Sequence, residues 1–221
     1  RPVTKVNMDM IKKGYKQFIQ SKSVEKDETV VLFEITLNNL LADGNLDEQD
    51  FLDRADILCS IGQTVLISNY QEYYRLVDYL ASFTKKRMGL IMGIPSLQEI
   101  FEDKYYGHLT GGILEAMGRL FSKSLIIYAY PFRGDGSITT TNDIHVNDLF
   151  KNIYDYLKQA RRIRDIEDFD PEILSIWSRE VLRKIRNGEK GWESCLPTYV
   201  DTIIKEKGLF GYPKSKKELQ D

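Results

Sequence analysis

The chain has 221 residues, 42% of them hydrophobic and 29% charged, and a net charge of −2. That hydrophobic share supports a packed core and excludes a disordered chain, while the charge balance argues against broad nucleic-acid binding and leaves room only for a local basic patch. No apolar run approaches the ~18 residues of a membrane span, and two cysteines, Cys59 and Cys195, provide neither a disulfide framework nor a zinc knuckle, so a reducing, cytoplasmic setting is expected.

In chain order, Met8, Ile11, Tyr15, Phe18 and Ile19 keep helical spacing. A first strand follows over about Val30–Ile35, then a short helix or loop over Leu40–Asn45 closed by a turn signal. Asp47 is expected to cap a helix with Phe51, Ala55, Leu58 and Cys59 on one face, Cys59 buried as a small hydrophobe, and Gly62 as its stop. Thr64–Ile67 reads as the second strand. Asn69 is expected to cap a helix with Tyr73, Leu76, Val77, Leu80 and Phe83 inward, before a third strand at Leu90–Met92. A short helix near Leu97 follows, then one capped by Thr110 with Leu114, Met117 and Phe121 inward, then the strand Leu125–Tyr130 and the turn-rich loop Phe132–Gly136. The remainder reads as helical. Its best-marked helix has Asp170 as cap, Pro171 in the first turn and Asn187-Gly188 as its stop. The tail from Lys214 has no core-forming pattern.

Short apolar strands alternating with helices predict an α/β fold: a Rossmann-like, mainly parallel sheet of four to five strands with helices on both faces, plus a helical C-terminal region. The expected division is an N-terminal helix and linker over 1–28, the α/β core over 29–135 and the mainly helical region over 136–221, packed on the core as one domain. Opening at Arg1-Pro2, the sequence is expected to be part of a longer chain with a further N-terminal domain.

In parallel sheets, ligands bind beyond the carboxyl ends of the strands. That places the candidate ligand residues at Glu34, Thr36, Ser68 and Asn69. A strand ending in Ser68-Asn69 before a helix presents polar side chains and free N–H groups to a phosphate or carboxylate; the alternative is that Asn69 only caps its helix. Gly111 and Gly112 let backbone approach an anion at another helix start, against a plain loop-to-helix turn. The loop matches neither a Walker nor a dinucleotide-binding pattern. His108 and His145 lack metal-ligand spacing, and the sequence specifies no cofactor. The basic run Arg161-Arg162-Ile163-Arg164 is followed by Asp165, Glu167, Asp168 and Asp170, which are expected to pair with it or screen it, so that no nucleic-acid partner is expected.

Two resemblances are carried by particular residues. Phe33-Glu34-Ile35-Thr36, Val65 to Asn69 and Lys85-Lys86 resemble, in order, the motifs of haloacid-dehalogenase-like phosphotransferases. Glu34 and Thr36 stand where that family has its two aspartates, so the resemblance implies the architecture without the chemistry. From about Phe33 to Tyr212, stretches such as Phe-Glu-Ile-Thr-Leu-Asn-Asn-Leu-Leu-Ala-Asp-Gly and Gly-Gly-Ile-Leu-Glu-Ala-Met-Gly-Arg-Leu-Phe look like a family of bacterial hypothetical proteins often labelled nicotinate-nucleotide adenylyltransferase. The resemblance implies a nucleotide or small phosphorylated metabolite as ligand. Gly107-His108 keeps only half of the H-x-G-H element of such enzymes, and no catalytic residue carries over. The expected function is therefore nucleotide or phosphometabolite binding; a non-catalytic scaffold or protein-interaction module is the alternative.

Overall fold

A computed structural model describes residues 1–37, 48–122, 124–134 and 136–213. The expectations for Leu40–Asn45, the Asp47 cap, Asp135 and the tail from Lys214 lie outside the described residues. In chain order the elements are α1 (Lys5–Ile19), β1 (Phe33–Thr36), α2 (Glu48–Ser60), β2 (Val65–Ser68), α3 (Tyr73–Phe83), β3 (Met88–Gly93), α4 (Ile94–Glu99) and α5 (Gly112–Leu120). They continue with β4 (Leu125–Tyr130), β5 (Phe132–Arg133), β6 (Ile138–Thr139), α6 (Asp148–Gln159), β7 (Ile163–Asp165), α7 (Ser178–Arg186) and α8 (Val200–Lys207). The fold class is α/β, with parallel strand pairing.

The parallel strands fall into two sheets rather than the one expected: β1-β2, and β3-β4-β7. Each sheet belongs to its own compact unit. The first unit is Arg1–Asp9, Val30–Asn69 and Pro171–Asp221; the second is Met10–Thr29 and Tyr70–Asp170. Local hydrophobic patterning marks strands but does not say which of them pair, so this division had no signature along the chain.

In the first unit β1 and β2 run in register, Thr36 opposite Ser68. Their core contains Ile35, Ile57 and Leu58 together with Val181 and Ile185 of α7, Val200 and Ile204 of α8, Trp192 and Phe210. Asp53, 2% exposed, accepts hydrogen bonds from Gln49 Nε2 at 2.7 Å and from the Phe210 backbone N–H. Phe210 takes a positive φ of 57°, uncommon for a bulky residue, and the buried carboxylate holds it there. Cys59 is exposed, not buried as expected, because the buried face of α2 is set by Asp50, Asp53, Ile57 and Leu58. The helix expected to start at Asp170 begins only at Ser178, with Trp177 as N-cap; its stop at Asn187 and Gly188 (φ 64°) is as expected.

In the second unit β4 is the central strand and all six of its residues are buried, which is why it reads as an uninterrupted apolar run. Its core includes Val77, Leu97, Ala116, Leu120, Ile127 and Ile163. Phe18 of α1 lies edge-on to Tyr128, ring centres 6.2 Å apart, and over Gly89 of β3, where a side-chain carbon would come within 2.8 Å of the Phe18 ring. Helix α3 buries Tyr74, Leu76, Val77 and Ala81. That face is rotated from the expected stripe and leaves Phe83 72% exposed. Likewise α5 buries Ile113, Ala116, Met117 and Leu120, while Leu114 is exposed. Glu72, not Asn69, is the N-cap of α3, and Gly111, not Thr110, that of α5.

Candidate functional site

At the carboxyl ends of β1 and β2 the sequence-predicted residues meet. Thr36 and Ser68 are buried, and Ser68 Oγ donates to Glu34 Oε1 at 2.5 Å. Burial raises the Glu34 pKa above the ordinary glutamate value, and the Ser68 hydrogen bond offsets part of that. The Glu34 carboxyl is thus a half-buried acid with a hydroxyl donor beside it. A phosphate brought to it would meet like charge. Asn69, exposed, ends the Val30–Asn69 segment of this unit.

Gly111 and Gly112 belong to the second unit. The Gly111 N–H donates to Glu115 Oε2 at 3.1 Å, so α5 satisfies this amide with its own carboxylate. Gly112 has a φ of 53°, a left-handed turn conformation that glycine adopts without penalty. Beside this turn, His108 Nε2 lies 3.0 Å from Tyr74 Oη and 3.8 Å from Glu72 Oε1. Burial and the neighbouring Glu72 charge push the Tyr74 phenol up, and so it remains a hydroxyl. The cluster can hold a proton between imidazole and phenol. Among the described residues no group of three His, Cys, Asp or Glu side chains could hold a metal ion.

A third site was missed by the sequence reading. Each strand of the β3-β4-β7 sheet is entered through a short link from the preceding helix, and all three links line two clefts. One, about 360 Å³, is lined by Thr84, Lys85, Lys86, Phe121, Ser122, Ser124 and Arg162. The other, about 200 Å³, is lined by Arg87, Ser124, Arg161, Arg162 and Arg164 with Leu125, Ile126 and Ala160. Ser124 and Arg162 are common to both. Six cations and several hydroxyls therefore converge at the amino edge of the sheet.

Part of this charge has a structural role. Arg162 donates to the Phe121 carbonyl at 2.6 Å, at the C-cap of α5, where a cation complements the helix dipole. Lys86 pairs with Glu28 and Arg87 donates to Ser21 Oγ. Two of the four acids expected to neutralise the arginines bond elsewhere. Asp165 accepts from Thr141 N and Oγ1 at 2.8 and 2.7 Å, and Asp168 is held by Lys13 and Lys16, each at 3.1 Å, which lowers its pKa. Lys85 and Arg161 have no carboxylate partner among the described residues.

The signal that could have found the site was present. Lys85-Lys86-Arg87 and Ser122-Lys123-Ser124 directly precede apolar strands, whereas Arg161-Arg162 precedes the short, mostly polar strand Ile163-Arg164-Asp165. Ligands in such folds usually sit at the carboxyl ends of the strands, whereas these links lie at the amino ends. Among the described residues no helix is long and apolar enough to cross a membrane. No family model matches this chain, and no curated protein or solved structure matches it either.

Proposed function

We propose that this chain binds a nucleotide or small phosphorylated metabolite, and that it does so at the amino edge of the three-stranded sheet. The observation that carries the reading is the gathering of Lys85, Lys86, Arg87, Arg161, Arg162 and Arg164 around two adjoining clefts, with Asp165 and Asp168 bonded to other partners. Phosphate oxygens are strong acceptors, and lysine and arginine are their usual donors. The serine and threonine hydroxyls beside them add neutral donors. The resemblance to adenylyltransferase-labelled bacterial proteins favours a nucleotide among phosphorylated ligands, and a reducing cytoplasmic setting belongs to the same proposal.

The second reading, a non-catalytic scaffold or interaction module, draws on Glu34 and Thr36, which replace the aspartates a phosphotransferase would need. The two readings separate in a thermal-shift screen against pyrophosphate, nucleoside di- and triphosphates and nicotinate mononucleotide, with and without magnesium. Ligand at 100 times its Kd adds about 2.7 kcal/mol, or roughly 5–10 °C for a chain of this size. Under the binding reading, Lys85→Gln with Arg161→Asn reduces that shift; asparagine suits Arg161, whose φ is 55°. A flat screen, or a shift untouched by the double variant, removes the proposed site.

A further inference from the structure

We infer that the three-stranded unit binds single-stranded nucleic acid, its phosphates along the amino-edge clefts and its bases stacked on an exposed aromatic row of α3. This rests on the reading of the clefts as a phosphate site and goes beyond it in naming a polymer with stackable bases. The row is Tyr79 and Phe83, whose ring centres are 5.1 Å apart at 72°; the half-buried Tyr70, which precedes the helix, lies with its ring centre 5.5 Å from that of Tyr79. Tyr79 is 44% and Phe83 72% exposed, on one helix face because they are four residues apart. Aromatic rings left in water at that level forgo the burial that normally places them inside.

The position of the row gives it meaning. Phe83 ends α3, and the next three residues, Thr84, Lys85 and Lys86, line the larger cleft. The aromatic row therefore adjoins, along the chain, the residues that line the cleft. A positively charged groove that tracks a backbone, flanked by rings on which bases stack, is how single strands are held without sequence reading. A duplex keeps its base faces hidden and would leave Phe83 unused. A mononucleotide would leave most of the charge unused, since the cations come from the links into the two outer strands, β3 and β7, and from β7 itself, about 10 Å apart at the usual strand spacing. The balanced charge of the whole chain does not oppose this, because the relevant cations are local and Asp165 and Asp168 are bonded away from them.

The test uses the full chain and fluorescence anisotropy with labelled 12-nucleotide oligo-dT and oligo-U, and inorganic polyphosphate as a competitor that has charge but no bases. Both oligonucleotides are expected to bind, with affinity falling as salt rises at about 0.7 in log–log slope for each phosphate contacted. Phe83→Ala should weaken oligonucleotide binding at least about fivefold, the low end for loss of one stacked base, and leave polyphosphate binding unchanged. Lys85→Gln with Arg161→Asn should weaken both. If oligonucleotides bind no better than polyphosphate and Phe83→Ala changes neither, the nucleic-acid inference falls while the phosphate site stands. If neither polyanion binds and the small phosphorylated ligands also fail, both readings fall. An unchanged oligonucleotide affinity in Phe83→Ala, with Tyr79→Ala equally silent, also overturns the stacking role.

Discussion

Substitution of Gly89 by alanine tests how α1 packs on the three-stranded sheet. Gly89 lies in β3, paired with Ile126, without a positive φ, so alanine suits the backbone. The obstacle is steric: the added carbon would lie 2.8 and 3.1 Å from two Phe18 ring carbons and 3.3 Å from Tyr128. A buried aromatic ring has few ways to yield, and such overpacking costs about 1–3 kcal/mol, or about 2–4 °C in Tm for each kcal/mol. Phe18→Ala alone removes a buried ring and costs about 3–5 kcal/mol. In the Phe18→Ala background the closest clash partner is gone and only Tyr128 remains, at 3.3 Å, so Gly89→Ala should cost much less there, the residual crowding being offset by about 0.4–1 kcal/mol from restricting the unfolded chain. Chemical denaturation of the four proteins gives the coupling directly. Coupling of at least about 1 kcal/mol is expected, and additivity within about 0.5 kcal/mol would refute the packing described for Phe18.

In the first unit, Asp53→Ala strips the Phe210 N–H of its buried acceptor and should destabilise by about 1.5–3 kcal/mol, the range for hydrogen bonds to charged groups; a loss below about 0.5 kcal/mol in urea unfolding would contradict that role. The raised pKa of Glu34 means that the folded state holds a proton over a window starting near the ordinary glutamate value of 4.5 and extending above it. Stability from this group is therefore complete below that window and is lost as pH rises through it. Glu34→Gln should flatten this part of the stability–pH curve, and an unchanged curve would reject the burial of the carboxyl. Tyr128 Oη is buried with no hydrogen-bond partner among the described residues, so Tyr128→Phe should leave Tm unchanged or raise it. A clear fall in Tm would reveal a partner for that hydroxyl.

Much of the local structure could be read along the chain. The runs Val65–Ser68, Met88–Gly93 and Leu125–Tyr130 are strands because β-branched and apolar residues cluster there between turn signals. Helix faces were less legible. In α3 a stripe through Tyr73, Leu80 and Phe83 is as regular as the buried one through Tyr74, Val77 and Ala81, and only the neighbouring elements decide between them. The same holds for Cys59, one position off the buried face of α2. The division into interleaved units depends on contacts between residues far apart in sequence, such as Asp53 with Phe210, and no local pattern records those. The basic links escaped notice because the arginines read as neutralised by the acids that follow them. The fold instead directs Asp165 to Thr141 and Asp168 to Lys13 and Lys16.

The central claim is a place, the amino edge of the β3-β4-β7 sheet, and the most direct measurement of a place is amide chemical-shift mapping during titration with pyrophosphate. The account predicts saturable shifts concentrated at Thr84–Arg87, at Ser122 and Ser124–Ile126, and at Ala160–Arg162 and Arg164, which line the clefts. Shifts centred instead on Glu34, Ser68 and Asn69, or on Gly111 and Gly112, would return the site to the ends where the sequence first placed it. An unperturbed spectrum at millimolar pyrophosphate would contradict phosphate binding by this chain.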